Sequence, residues 1–92
     1  MNNYTTDFSE ALAAVKYGAT IYRLSWGRSY VVYKPGYKNV PCNSAHAKAH
    51  GIPEGTSIRY LPYLEMKTPD GDYIPWVATQ DDILAEDWGI IE

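Results

Sequence analysis

The chain has 92 residues, a length that fits one domain (residues 1–92), because a second would be too small to bury its own core. Eight Lys and Arg against eleven Asp and Glu give a net charge of −3, which excludes a broad basic surface and argues against binding of nucleic-acid polymers. The sequence has no bilayer-spanning apolar run, no signal-peptide pattern and only one cysteine, Cys42, so we expect a soluble, intracellular protein without membrane contacts.

The first predicted element is an N-terminal helix. Asp7 is a suitable N-cap, and Glu10 three residues later completes the pattern of a capping box. Gly18 stands where a helix ends in a left-handed residue. Between them, apolar side chains follow at helical spacing: Phe8, Ala11, Leu12 and Val15.

The pattern then changes to short β-branched and aromatic runs, which predict strands over 21–24 and 30–33. A Ser-Trp-Gly-Arg turn over 25–28 separates them. We expect the stretch from 37 to 55 to be irregular, because proline and glycine interrupt it repeatedly. Within it, residues 44–50 can form two turns of helix closed by a glycine.

The C-terminal half continues the β pattern. Residues 57–67 predict the longest strand, the Pro-Asp-Gly run at 69–71 a hairpin turn, and 72–78 the partner strand. Residues 80–85 predict a short helical turn with a threonine cap, and 88–91 a final strand that closes the sheet.

These elements predict an α+β fold in which the N-terminal helix packs on a small antiparallel sheet of about five strands. Pro62 has no amide to donate, so the strand that carries it should lie at an edge or contain a bulge. One helix covers one face of the sheet. The other face is left to solvent, to a ligand or to another copy of the chain.

Aromatic composition is unusual, with nine Tyr and three Trp but one Phe. Rings that carry a polar group are typical of interfaces and of pockets for planar ligands. Tyrosine replacing phenylalanine on half-exposed strands explains most of the nine equally well. A small domain of this composition can also complete its core by self-association.

A metal site is weakly indicated by Cys42, His46 and His50, which are spaced four residues apart, with Glu54 nearby. The chain has no paired cysteines of a zinc motif, and the intervening residues are typical of a solvated turn. We therefore predict solvated histidines and no metal.

Acidic pairs raise the question of catalysis, since two carboxylates can perform acid–base chemistry. Asp70 and Asp72 flank a hairpin glycine, which explains them fully. Asp81 and Asp82 open a helical turn, where carboxylates favour the positive end of the helix dipole. No phosphate-cradling glycine motif is present. We predict no catalytic residues.

Two tryptophans stand in settings suited to a ligand. Trp26 lies in the turn between Arg23 and Arg28, where an indole can stack on a base and a guanidinium can bind phosphate. Together with Lys34, these arginines would supply the positive potential that an anionic ligand needs. Trp76 precedes hydroxyl, amide and carboxylate groups that match a ribose or purine edge. Burial of both indoles in the core remains the alternative, and Trp88 is assigned to the core.

Four runs of the sequence resemble one family, the second Thoeris anti-defence family of small phage and prophage proteins. The runs are distributed over nearly the whole chain, from residue 8 to residue 88: FSEAL (8–12), RLSW (23–26), YLPYLEMKTPDG (60–71) and IPWVATQDDILAEDW (74–88). The resemblance implies a non-enzymatic sponge without a cofactor, which acts in the host cytoplasm. It would bind cyclic ADP-ribose-type signals, notably the glycocyclic isomers, and release them unaltered. It also implies cyclic dinucleotides in separate pockets, and a homotetramer with pockets between protomers.

Carried over to this sequence, the resemblance implies that Trp26 stacks on adenine. Phosphate binding by Arg28 is our inference from charge. Gly27 departs from the family, whose members commonly have Asn there. The remaining implied ligand-binding residues are Trp76, Thr79, Gln80 and Asp82. Two other hypotheses stay open: an enzyme that degrades such nucleotides, with Asp81 or Asp82 as base and His46 or His50 as acid, and a Tyr-rich adaptor that binds protein.

Overall fold

The computed structural model describes residues 5–92, which form three α-helices, a 3-10 turn and seven strands. The helices are α1 (Phe8–Lys16), α2 (Ser44–His50) and α3 (Gln80–Leu84), and the 3-10 turn is Leu24–Trp26. The strands are β1 (Thr20–Arg23), β2 (Tyr30–Lys34), β3 (Tyr37–Pro41), β4 (Ser57–Tyr60), β5 (Tyr63–Lys67), β6 (Tyr73–Pro75) and β7 (Trp88–Ile91).

Helix α1 forms as the sequence predicts. The Asp7 carboxylate accepts a hydrogen bond from the Glu10 amide at 3.0 Å, and so caps one of the free N–H groups of the first turn. Ala11 and Val15 are fully buried against the sheet. After the helix, Gly18 has a φ of 107°, a left-handed value that favours glycine.

Five strands form the main sheet in the order β6-β5-β2-β1-β7, with every neighbouring pair antiparallel. The α+β prediction is thereby confirmed. One row of side chains crosses the sheet through paired residues: Ile90, Ile21, Val31, Met66 and Ile74. Helix α1 packs on the part of this row that lies in β7, β1 and β2. Ile21 and Val31 at the centre of the row are fully buried and form the core together with α1 and Trp88.

The opposite side of the main sheet, here called the outer face, carries Tyr22, Tyr30, Val32, Lys67 and Tyr73, because successive side chains along a strand alternate between faces. The Lys67 ammonium lies 5.6 Å from the centroid of the Tyr30 ring. None of the described helices has its main packing contacts on this face. The main sheet therefore has one face covered by helix α1 and one open face, as predicted.

Residues 37–60 form an arm that extends from the main sheet. Strands β3 and β4 pair only with each other, and α2 connects them. The molecule measures 50 × 26 × 26 Å and its radius of gyration is 16.3 Å, against about 12 Å for a compact chain of this length. Most contacts of the arm are therefore internal.

The arm corrects two predictions. Residues 57–67 do not form one strand: they divide at Leu61 and Pro62 into β4 of the arm and β5 of the main sheet. The stretch 37–55 is also more regular than predicted, because it contains β3. The predicted helix over 44–50 is confirmed, with Gly51 left-handed at its end at φ 69°.

The remaining C-terminal elements are present, but the partner strand is shorter than the predicted 72–78, because β6 spans only Tyr73–Pro75. Gly71 closes the β5–β6 hairpin at φ 91°, with its amide bonded to the Thr68 carbonyl at 3.0 Å. Thr79 caps α3, and β7 completes the main sheet beside β1.

Gly36 at the base of the arm gives a first testable prediction. A Cβ at this position would overlap the backbone carbonyl of Tyr60, which cannot move without shifting β4. Gly36→Ala is therefore expected to lower the free energy of unfolding by at least about 1–3 kcal/mol, as overpacking does. Urea denaturation measures the change, and Ser44→Ala on an exposed position of α2 is the control. Equal stability of Gly36→Ala and the wild type would contradict the close approach of Gly36 to the Tyr60 carbonyl.

Candidate functional site

Three tryptophans and one phenylalanine form an aromatic cluster at one end of the core, here called the indole cluster: Phe8, Trp26, Trp76 and Trp88. The Trp26 ring centroid lies 5.2 Å from that of Trp88 and 5.9 Å from that of Trp76, and both contacts are edge-to-face. Trp88 is fully buried, which confirms its assignment to the core. Trp26 and Trp76 are half-buried, so each keeps accessible ring surface beside the other.

Local backbone geometry places these two rings together. Trp26 is the last residue of the 3-10 turn after β1, and Gly27 follows with a φ of 73° that reverses the chain. Trp76 follows β6, and its amide bonds to the Leu64 carbonyl at 2.9 Å, which continues the pairing with β5. The ends of β1 and β6 thus carry the two indoles over the buried ring of Trp88.

The segment after Trp76 leads directly into α3 and its capping box. The Asp82 amide donates to the Thr79 hydroxyl at 3.2 Å, and the Thr79 amide and hydroxyl both donate to Asp82 Oδ2 at 3.0 Å. Gln80, the first residue of α3, is exposed. Four of the implied residues, Trp76 to Asp82, therefore lie on one short segment that follows the Trp26–Trp76 pair.

Arg23 connects this segment to the sheet. Its Nη1 bonds to Asp82 Oδ1 at 3.1 Å and its Nε to Asp87 Oδ1 at 2.9 Å, while its side chain is 20% exposed. The positive charge predicted for ligand attraction is thus balanced by two carboxylates. Arg28, by contrast, is exposed and makes no hydrogen bond or ion pair with residues 5–92.

The same contacts set the protonation of Asp82. Burial raises the pKa of its carboxyl group, but the hydrogen bonds from Thr79 and Arg23 lower it by more, so the pKa lies below the usual value of an aspartate. The pKa of Arg23 is raised, chiefly by its hydrogen bond to Asp87. The carboxylate and the guanidinium are both charged at neutral pH.

A concave site, here called the tyrosine groove, lies where the arm joins the main sheet. Its volume is about 510 Å³, which falls in the range of small-molecule sites. Its walls are Lys34, Pro35, Gly36, Tyr37, Tyr60, Tyr63 and Pro75. An adjoining hollow of about 190 Å³ shares three of these residues and adds Lys38 and Arg59.

Comparison with known proteins gives the family. A family model described as the Thoeris anti-defense 2-like domain matches residues 6–91. The chain belongs to this family. One relative, Thoeris anti-defense 2 of Bacillus phage SP01, is 32% identical over 88 residues, which cover 91% of this chain and 92% of the relative. The resemblance stated from the sequence is confirmed, and membership makes the protein a phage anti-defence protein.

The histidines of this anti-defence protein lie on the arm, away from the indole cluster. The rings of His46 and His50 stack at 4.3 Å, and the Tyr60 hydroxyl lies 3.2 Å from His46 Nδ1. Cys42 is buried, with its Sγ 3.6 Å from the Pro53 carbonyl. Within residues 5–92, no three His, Cys, Asp or Glu side chains gather as metal ligands, and no helix is long and apolar enough to cross a membrane.

Two features of the site were missed from the sequence. Arg23 lies two residues after buried Ile21 and so on the same, buried face of β1, and a charge on such a face requires a partner. That alternation was a usable signal for the ion pairs. No comparable sequence signal exists for the tyrosine groove, because Tyr37, Tyr60 and Tyr63 come together only in the folded arm.

The low pKa of Asp82 predicts how stability depends on pH. Because the folded pKa lies below the unfolded value of about 3.9, the carboxylate stabilises the fold fully above about pH 5, and this stabilisation is lost as the pH falls through the folded pKa. Urea denaturation should give a free energy of unfolding that is lower near pH 3 than near pH 5. Asp82→Asn should start less stable and lose less over the same interval. An equal loss in both proteins would contradict the assignment.

Proposed function

We propose that this protein is a sponge that binds cyclic nucleotide immune signals, the glycocyclic ADP-ribose isomers, in the cytoplasm of the infected host and holds them without cleavage. The observation that carries the proposal is the half-buried pair Trp26 and Trp76, whose rings lie 5.9 Å apart over a rigid buried indole. A platform of this kind stacks on a base without first having to fold. In this arrangement Trp26 stacks on the adenine.

The polar groups around the indoles suit the rest of such a ligand. Gln80 is exposed at the start of α3 and presents an amide that can donate to and accept from a sugar or base edge. Arg28 is exposed two residues after Trp26 and can form charge-assisted bonds to phosphate. Thr79 and Asp82 form the wall of the pocket, with their side chains bonded to each other.

Sequestration requires tight binding. A sponge present at about micromolar concentration needs about nanomolar affinity, or about −12 kcal/mol. One shallow surface does not supply this, so we propose that protomers assemble as a homotetramer and complete the pockets between them. The outer face with its tyrosines, and an arm whose contacts are mostly internal, both offer surface for that assembly.

The proposal of a binder rather than an enzyme is supported by the position of the titratable groups. His46 and His50 lie on the arm, whereas Asp82 lies on α3 with both carboxylate oxygens engaged by Thr79 and Arg23. A general base needs an accessible lone pair within reach of the proton that it removes, and Asp82 is buried. Asp81 is exposed but lies on α3, whereas the histidines lie on α2 of the arm.

Release of the bound ligand decides between binder and enzyme. The protein is incubated with glycocyclic ADP-ribose and denatured by heat, and the supernatant is chromatographed. Intact ligand, in an amount that matches the bound fraction, is the expected result. A linearised product would overturn the sponge in favour of the enzyme. Absence of any calorimetric heat with every cyclic ADP-ribose isomer and cyclic dinucleotide would favour the protein-binding adaptor.

The tyrosine groove favours a second ligand class, and we propose that it takes cyclic dinucleotides. Its tyrosine rings offer stacking surfaces, and Lys34 on its wall can pair with a phosphate. The volume of about 510 Å³ is that of a small-molecule site rather than of a protein interface.

Tyr37→Ala tests the groove. Loss of one stacking ring should weaken binding of a cyclic dinucleotide by about 1–3 kcal/mol, or about 5- to 150-fold in Kd, with no change in the Kd for glycocyclic ADP-ribose. Isothermal titration calorimetry with both ligands measures this. Tyr17→Ala is the matched control, because Tyr17 is 94% exposed and lies at the end of α1. Equal weakening of both ligands, or of neither, would contradict separate pockets.

A further inference from the structure

We propose that Arg23 is a positioning residue for the nucleotide site: its guanidinium holds α3 against β1, so that Thr79 and Gln80 stand beside the Trp26–Trp76 pair. The inference rests on the proposed function, because it assigns Arg23 a role toward the same ligand. It differs from the sequence-based expectation, in which Arg23 attracted the ligand by its charge.

The guanidinium joins three segments that are separate in the chain. Arg23 ends β1, Asp82 belongs to α3, and Asp87 lies in the loop before β7. Both bonds originate from one planar group, with Nε on Asp87 at 2.9 Å and Nη1 on Asp82 at 3.1 Å. The Leu24 amide adds a backbone bond to the Asp87 carbonyl at 3.1 Å. The end of β1 is thus fixed to both sides of the loop that follows α3.

Helix α3 depends on this contact because its own apolar anchoring is weak. It has five residues, far fewer than an isolated helix needs to be stable. Ile83 is 48% exposed and Leu84 75% exposed, so neither buries its side chain in the core. The buried residue of α3 is Asp82, whose carbonyl also accepts the Trp88 indole N–H at 2.9 Å. Apart from its packing against α1, the helix is therefore held by the polar contacts of Asp82.

Removal of Arg23 would leave the Asp82 carboxylate buried without its counter-charge, which is strongly unfavourable. The simplest relief is for α3 to move outward and hydrate that carboxylate. Such a movement carries Thr79 and Gln80 away from the Trp26–Trp76 pair. Only molecules in which α3 is in its original position can then bind the ligand. The apparent Kd equals the intrinsic Kd divided by the fraction of such molecules.

Amide hydrogen exchange and calorimetry, on the same samples, test the proposal. Wild type, Arg23→Gln and Arg23→Lys are compared, with Lys16→Gln on the exposed end of α1 as the control for a lost surface charge. We expect Arg23→Gln to lose about tenfold or more in protection at the Ile83 and Ala85 amides, while the amides of β2 keep theirs. The Kd for glycocyclic ADP-ribose should rise by a similar factor. Arg23→Lys keeps the positive charge but lacks the planar guanidinium that bonds two carboxylates at once. Its amide protection and its Kd should therefore lie between those of the wild type and Arg23→Gln.

Each outcome decides the inference. Loss of α3 protection with an unchanged Kd would overturn it, as would a weakened Kd with α3 protection intact. Loss of protection in β2 as well, in both Arg23 variants, would make Arg23 a residue of global stability and also overturn it. If the wild type bound no cyclic nucleotide, both the proposed function and the positioning role of Arg23 would be overturned. If the wild type bound the ligand and only the Arg23 variants departed from expectation, the positioning role alone would be overturned.

Discussion

Trp88→Ala is expected to remove most of the stability of the domain and to shift its urea midpoint to low concentration. Trp88 is fully buried, its ring contacts Phe8, Trp26 and Trp76, and its indole N–H bonds to the Asp82 carbonyl. Truncation of such a residue removes about 3–5 kcal/mol. The whole domain has only about 5–15 kcal/mol of stability, and its small size and extended arm place it toward the lower end. Circular dichroism and urea denaturation measure the effect.

Leu84→Ala is the matched control for Trp88→Ala, because Leu84 is apolar and largely exposed. It should change the free energy of unfolding by no more than about 0.5 kcal/mol. Trp88→Phe keeps a ring but loses the indole bond, and should retain a cooperative transition at reduced stability. If Trp88→Ala unfolded cooperatively with a loss below about 1 kcal/mol, the indole cluster would not be the core that the structure describes.

Trp26→Ala should weaken binding of glycocyclic ADP-ribose by about 1–3 kcal/mol, which is about 5- to 150-fold in Kd, while the assembly stays intact. The reason is the loss of the ring that stacks on the adenine. Trp26 also packs on Trp88, with ring centroids 5.2 Å apart, so the variant loses some stability as well. Calorimetry well below the melting temperature, together with size-exclusion chromatography, separates the two effects.

A second substitution at the same position is the control. Trp26→Phe preserves a stacking ring and part of the packing, so it should bind more tightly than Trp26→Ala at similar stability. Leu24→Ala, at an exposed residue of the same 3-10 turn, should leave the Kd unchanged. An unchanged Kd in Trp26→Ala would show that this ring has a structural role only.

Local signals were sufficient to predict much of the fold. The cap at Asp7, the glycine at 51 and the Pro-Asp-Gly turn at 69–71 each act within a few residues, and each gave the element that the structure contains. Trp88 was also assigned correctly, because it lies inside an apolar strand that completes the sheet. Sequence patterns therefore predict those structural features that are determined by residues close together in the chain.

Features that depend on distant neighbours were not predicted. The alternation from Ser57 to Lys67 is continuous, but Leu61 and Pro62 redirect the chain from the arm into the main sheet, and only the tertiary pairing reveals it. Likewise, Asp82 was read as a ligand contact at a helix start. Its pairing with Arg23 spans 59 residues of sequence and becomes apparent only when β1 and α3 are brought together. The predicted ligand contacts at Arg28 and Gln80 remain predictions.

Native mass spectrometry with ligand release tests the central claim most directly. The purified protein is mixed with a panel of cyclic ADP-ribose isomers and cyclic dinucleotides, the complexes are isolated, and the ligands are identified after denaturation. We predict a glycocyclic ADP-ribose isomer that the wild type retains and releases at its original mass, with a smaller retained fraction in Trp26→Ala. Recovery of a hydrolysed nucleotide, or retention of no nucleotide by a folded wild type, would contradict the account.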